Sequence, residues 1–138
     1  MNCYYCGEKS DTLDHTIPVS FYSTRPTRKG MKSKYKDPVP VVDCCGECNA
    51  TLNNKLIIDV RERADYLKEK YIKKYKRILN SPIWDEDDIE NMGKTLRACI
   101  RRDMRLQQNI KERLDYLKMI SNLSEDPFFE EKKTLGYA

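Results

Sequence analysis

Two short stretches, Cys3-Tyr4-Tyr5-Cys6 and Cys45-Gly46-Glu47-Cys48-Asn49, decide how this chain folds. A Cys-x-x-Cys step lets two thiolates point at one tetrahedral ion at ~2.3 Å, and two such steps supply the closed four-ligand shell of a structural Zn²⁺. Six cysteines in a short chain also allow a disulfide framework, and a Cys-x-x-Cys beside a βαβ pattern would read as a redox motif. The tight pairing argues against the first, and no βαβ pattern follows either pair. The expected zinc ligands are therefore Cys3, Cys6, Cys45 and Cys48. Cys44 offers a competing register, but with Cys45 the dipeptide Gly46-Glu47 makes a tight knuckle like the first, where Gly7 follows Cys6. Cys99 lies in a helical stretch and reads as a buried small hydrophobe.

The 38 residues between Cys6 and Cys45 exceed the gap of a simple zinc finger, so they must house further structure. Residues 12–20, Thr-Leu-Asp-His-Thr-Ile-Pro-Val-Ser, are rich in β-branched types and read as a strand that Pro18 stops or kinks. Val39-Pro40-Val41-Val42 reads as a second, edge strand. Between them Arg25, Arg28, Lys29, Lys32, Lys34 and Lys36 stand without an intervening acid, flanked by Tyr22 and Tyr35. Such a loop is either solvated surface or a phosphate-contacting arm. A short helix is expected over 49–55. Residues 1–57 thus form a zinc-stapled β, β, α module.

Outward from the module the periodicity changes. Val60, Ala64, Leu67, Tyr71, Tyr75 and Ile78 recur every three or four residues, predicting one helix over 58–80 whose other faces carry Lys68, Lys70, Lys73, Lys74, Lys76 and Arg77. Asn80-Ser81-Pro82 ends it. Asp85 and Asp88 resemble a capping box for a second helix over about 86–121, with Ile89, Met92, Leu96, Cys99, Leu106, Ile110, Leu117 and Ile120 on its stripe and a break near Asp103-Met104. Arg97, Arg101 and Arg105 share one face, either salt-bridged surface or a second DNA-facing stripe. The fold class is α+β: the module at 1–57, a helical region at 58–121 that packs on it or dimerises, and a tail at 122–138.

Composition narrows the function classes. In 138 residues, 26 basic side chains against 22 acidic ones give a net charge of +4, concentrated at 56–80, which hold eight basic and four acidic groups. An acidic partner would meet the first 80 residues more readily than the rest. No apolar run approaches the roughly 18–20 residues that span a membrane, and Cys3 stands too close to the start for a signal peptide to precede it, so a soluble cytoplasmic protein is expected.

The only histidine is His15, directly preceded by Asp14. Asn49 follows the last knuckle cysteine. A carboxylate and an amide oxygen are hard ligands suited to Mg²⁺, and a neutral imidazole with an ordinary pKa of about 6.5 can take a proton from an attacking water. Taken in order, Cys3-x-x-Cys6, Asp14-His15-Thr-Ile-Pro18 and Cys45-x-x-Cys48-Asn49 resemble the HNH (ββα-metal) endonucleases, and the helices that follow resemble those of small phage-encoded members. The resemblance covers about residues 1–55. It implies that Asp14 and Asn49 hold a catalytic Mg²⁺ or Mn²⁺, that His15 is the general base, and that the four cysteines hold structural zinc. Asn53, one turn beyond Asn49, is a further candidate metal contact. The Asn that many members place before the second cysteine pair is absent from Asp37-Pro38-Val39-Pro40-Val41-Val42-Asp43, leaving a backbone carbonyl or Asp43 to hold His15.

The expected function is thus divalent-metal-dependent cleavage of DNA, double-stranded for preference, in the cytoplasm (the host cytosol if phage-encoded). Phosphate contacts are expected from Arg25, Arg28, Lys29, Lys32, Lys34, Lys36, Lys73 and Lys74, with no membrane partner and with 58–121 as the candidate homodimer surface. The rival is a non-catalytic zinc-ribbon DNA-binding or adaptor protein, which would need the cysteines and the basic surface but not Asp14, His15 or Asn49.

Overall fold

The computed structural model describes residues 1–16, 40–53 and 55–134. Six of the expected phosphate contacts, from Arg25 to Lys36, lie outside the described residues, as do Pro18 and the two flanking tyrosines. The chain is mixed helix and sheet, with two short strands and six helices among the described residues. Strand β1 (Thr12–His15) pairs antiparallel with β2 (Val41–Cys44) in the register Thr12 to Cys44, Leu13 to Asp43, Asp14 to Val42 and His15 to Val41. The alternation of side chains along each strand sends Asp14, Val42 and Cys44 into the core and leaves Leu13 exposed on the other face.

The N-terminal knuckle closes on itself through a bridge between Asn2 and Lys9 and a bond from Gly7 N–H to the Cys3 carbonyl at 3.0 Å. Gly7 adopts φ +79°, and a Cβ there would meet the Tyr116 ring at 3.1 Å, so backbone conformation and packing both require glycine. Helix α1 (Gly46–Leu52) starts three residues earlier than the expected 49–55, because the Cys45 sulfur itself caps it, accepting from Cys48 N–H at 3.4 Å. It stops at Asn53, where φ turns to 40°.

Helix α2 (Val60–Lys74) is capped by Asp59, whose carboxylate accepts from Arg61 N–H at 2.8 Å. Val60, Ala64, Leu67 and Tyr71 are buried as the periodicity requires. The expected helix over 58–80 is divided at Tyr75 into α2 and α3 (Lys76–Leu79), yet the i to i−4 bonds of Tyr75 and Leu79 persist at 2.9 Å, so the division is a local change of dihedral angle. Helix α4 (Glu86–Glu90) is capped by Asp85 as expected. The second long helix breaks at Asn91–Gly93, before α5 (Lys94–Ser121), and runs uninterrupted through Asp103-Met104. Glycine is the weakest non-proline helix former, and it falls where the break occurs.

Two packing expectations need correction. Cys99 is only half-buried, and Leu96 and Leu106 are exposed, because the first half of α5 extends beyond the core that Ile110, Leu117 and Ile120 enter. Residues 122–134 are built into the fold rather than forming a tail. Asp126 and Lys132 form a buried ion pair of 2.7 Å, Lys132 also reaches the Ile58 carbonyl, and Asp126 accepts from Val60 N–H at 3.4 Å. Asp126, just before α6 (Phe129–Thr134), and Lys132 within it close the N-terminal end of α2. One core runs across residue 57, from Cys3, Tyr5, Val42 and Leu52 to Val60, Leu67, Leu117 and Ile120. No helix among the described residues is long and apolar enough to cross a membrane.

Candidate metal centre and the Asp-His strand

Cys3 and Cys6 on the N-terminal knuckle meet Cys45 and Cys48 at the start of α1. Their four sulfurs lie within 4.8 Å of one another, all buried, with Cys6 and Cys45 3.6 Å apart. A regular tetrahedron with metal–sulfur bonds of ~2.3 Å has sulfurs ~3.8 Å apart, so the cage is of the size zinc needs. None of the six cysteines is in a disulfide. The four form a cluster able to hold a metal ion such as zinc, and Cys44 is not among them: it sits on β2, fully buried, opposite Thr12.

Glu47, inside the second knuckle, ties the cage to the helices. It pairs with Lys74 at 2.5 Å and with Arg113 at 2.6 Å, and it accepts from the Tyr75 hydroxyl. Burial favours its neutral form, but Lys74, Tyr75 and Arg113 outweigh that and hold its pKa down at about 2. Lys73 and Lys74, both expected as phosphate contacts, are exposed, and Lys74 is paired with Glu47.

Asp14 and His15 do not converge. Asp14 points inward, where its Oδ1 accepts from Arg63 Nη2 at 2.7 Å and its Oδ2 from the Tyr5 hydroxyl at 2.6 Å. Arg63 Nε also reaches the Tyr5 hydroxyl at 3.1 Å, and Nη1 reaches the Ile57 carbonyl at 2.9 Å. Burial raises the Asp14 pKa, against the pull of Arg63 and Tyr5. A cation placed at Asp14 would lie beside the Arg63 guanidinium, with both carboxylate oxygens already engaged. The expected Asp14–Asn49 ligand pair for Mg²⁺ or Mn²⁺ therefore does not fit the described side chains, which corrects the role read for Asp14. His15 lies on the opposite strand face and is half-buried, and its carbonyl accepts from Arg63 Nη2 at 3.4 Å. Asp43 shares that outer face, and the His15 backbone is held by its pairing with Val41 of β2 as well as by Arg63. Asn49 is half-buried on α1, which packs against β1, and Asn53 is exposed at the helix end.

The sequence reading missed Tyr5, Glu47, Arg63, Tyr71 and Arg113. A signal for the two arginines was present: Arg63 sits among Val60, Ala64 and Leu67, and Arg113 between Ile110 and Leu117, on faces where the period requires apolar residues. A charge there implies a buried partner. No protein-family model, curated protein or solved structure matches the chain, so the geometry of its own residues carries the interpretation of the site.

Proposed function

We propose that the chain is a zinc-stapled HNH-type endonuclease that hydrolyses DNA phosphodiester bonds, with zinc on Cys3, Cys6, Cys45 and Cys48 and with His15 as the general base. The observation that supports this reading is the order strand, strand, helix on a four-cysteine cage, with the Asp-His pair at the end of β1 and Asn49 on the helix packed against that strand. Four thiolates leave zinc no open position, so its part is to fold the module. His15 stands on the outer face, where its imidazole can receive a proton from a water attacking phosphorus. Asp14, paired with Arg63, anchors that strand. DNA would be met by the loop from Arg25 to Lys36 and by Lys73 on α2, and a second copy of the chain by the uncovered first half of α5.

The engagement of Asp14 favours a second reading, a zinc-ribbon DNA-binding or adaptor protein without catalysis. Plasmid nicking with Mg²⁺ or Mn²⁺ separates the two. The wild type should nick, and His15→Ala should lose ~10²–10⁴-fold in rate while still binding DNA. A wild type that binds without nicking would transfer the chain to the adaptor class, and a His15→Ala variant that nicks at the wild-type rate would remove His15 as the base.

A further inference from the structure

Arg113 of α5 occupies a core position with 7% of its surface exposed. Its Nη2 reaches Glu47, its guanidinium lies 4.7 Å from the centre of the Tyr71 ring, and its Nε–H is buried with no hydrogen-bond acceptor among the described residues. Tyr71 of α2 donates its hydroxyl to Cys48 Sγ at 2.9 Å. Glu47 lies between the cage cysteines Cys45 and Cys48, so the guanidinium is held against the second knuckle. A tyrosine and an arginine from two different helices thus converge on the cage from outside.

Zinc bound by four thiolates is a dianion, and burying it is costly unless donors and positive charge meet it. Hydrogen bonds to ligating sulfurs, and charge beside them, are what outer contacts supply in metal sites. The pair with Glu47 engages one nitrogen of Arg113, yet the arginine keeps its core position with Nε–H unsatisfied among the described residues, a cost that an apolar side chain would avoid.

We propose that Tyr71 and Arg113 form the outer layer of the metal centre, Tyr71 hydrogen-bonding the Cys48 thiolate and Arg113 supplying positive charge against the zinc–thiolate dianion. Helices α2 and α5 are then part of the metal site rather than a scaffold beside it. This rests on the zinc reading of the cysteines and is independent of the nuclease reading.

The test uses the full chain, with zinc affinity measured by competition against a chromophoric chelator and with the absorption spectrum of the Co²⁺-substituted protein. Arg113→Met should weaken zinc binding by roughly 10–100-fold. Arg113→Lys, which keeps the charge, should restore most of the loss. Tyr71→Phe, nearly isosteric and so able to fold even if the arginine variant does not, should weaken binding and shift the thiolate-to-cobalt charge-transfer band. Affinities within about twofold of wild type and an unchanged cobalt spectrum, even with a lowered unfolding temperature, would assign both residues to packing and overturn the proposal. A wild type that binds no zinc would overturn the zinc reading and this inference together.

Discussion

Arg63 Nη2 stands 2.7 Å from Asp14 Oδ1, both side chains almost wholly out of water, although they are 49 positions apart in the chain. The pair joins α2 to the strand that carries His15, and Tyr5 completes it from the N-terminal knuckle. An isolated charge in such surroundings would be intolerable, so neither residue can be understood without the other.

Removing one partner should therefore be far worse than removing both. Arg63→Met leaves a buried carboxylate without its counter-charge and should cost about 3–5 kcal/mol in urea unfolding. Adding Asp14→Leu to Arg63→Met should recover much of that loss, because no unpaired charge remains. Tyr5→Phe removes two hydrogen bonds, the one donated to Asp14 and the one accepted from Arg63 Nε, and should cost about 1–3 kcal/mol. A double variant no more stable than the single one would mean that the pair does not govern this region.

Zinc content should be one ion per chain in protein purified without added metal, read by elemental analysis. Cys45→Ser should abolish it and Cys44→Ser should retain it, since Cys44 lies on β2 outside the cage. Chelation should unfold more than residues 1–57. The cage cysteines share a core with Leu67, Tyr71, Leu117 and Ile120, so helical circular dichroism should fall with metal loss.

The segment after α5 should matter to stability. Lys132→Met leaves Asp126 buried without its partner and should cost about 3 kcal/mol, lowering the melting temperature by on the order of 10 °C. Truncation after Ser121 should do at least as much, because Val60 N–H and the Ile58 carbonyl lose their partners. A truncated chain that melts with the wild type would return 122–138 to the status of a tail.

DNA binding should weaken steeply with salt if the basic loop contacts phosphates. Replacing Arg28, Lys29 and Lys32 together by Ala should flatten the log–log salt slope by roughly two to three units, at ~0.9 per phosphate contact on duplex DNA. Zinc content should not change. An unaltered slope would move DNA binding to other basic residues. Arg105 is the exposed member of the α5 stripe, whereas Arg101 pairs with Glu86 at 2.5 Å.

The sequence by itself determined the local features of this protein: the two knuckles from Cys-x-x-Cys spacing, the presence of two strands from β-branched runs, although the second runs over Val41–Cys44 rather than the expected 39–42, and the inner face of α2 from its period. Each depends on neighbours a few residues apart, where spacing translates directly into geometry. The cap at Asp85 was legible for the same reason. Only the tertiary structure decided which charges are buried. Arg63 and Arg113 fall on apolar faces in the sequence, but their partners Asp14 and Glu47 come to them from 49 and 66 positions away, which only the packed chain shows. Asp14 reads as an open metal ligand until the strand register turns it into the core and its neighbour His15 out of it. Lys132 and Asp126 look like a charged tail until they close the end of α2. The free energy of a charge depends on what surrounds it in space, and that is fixed only once distant parts of the chain have packed.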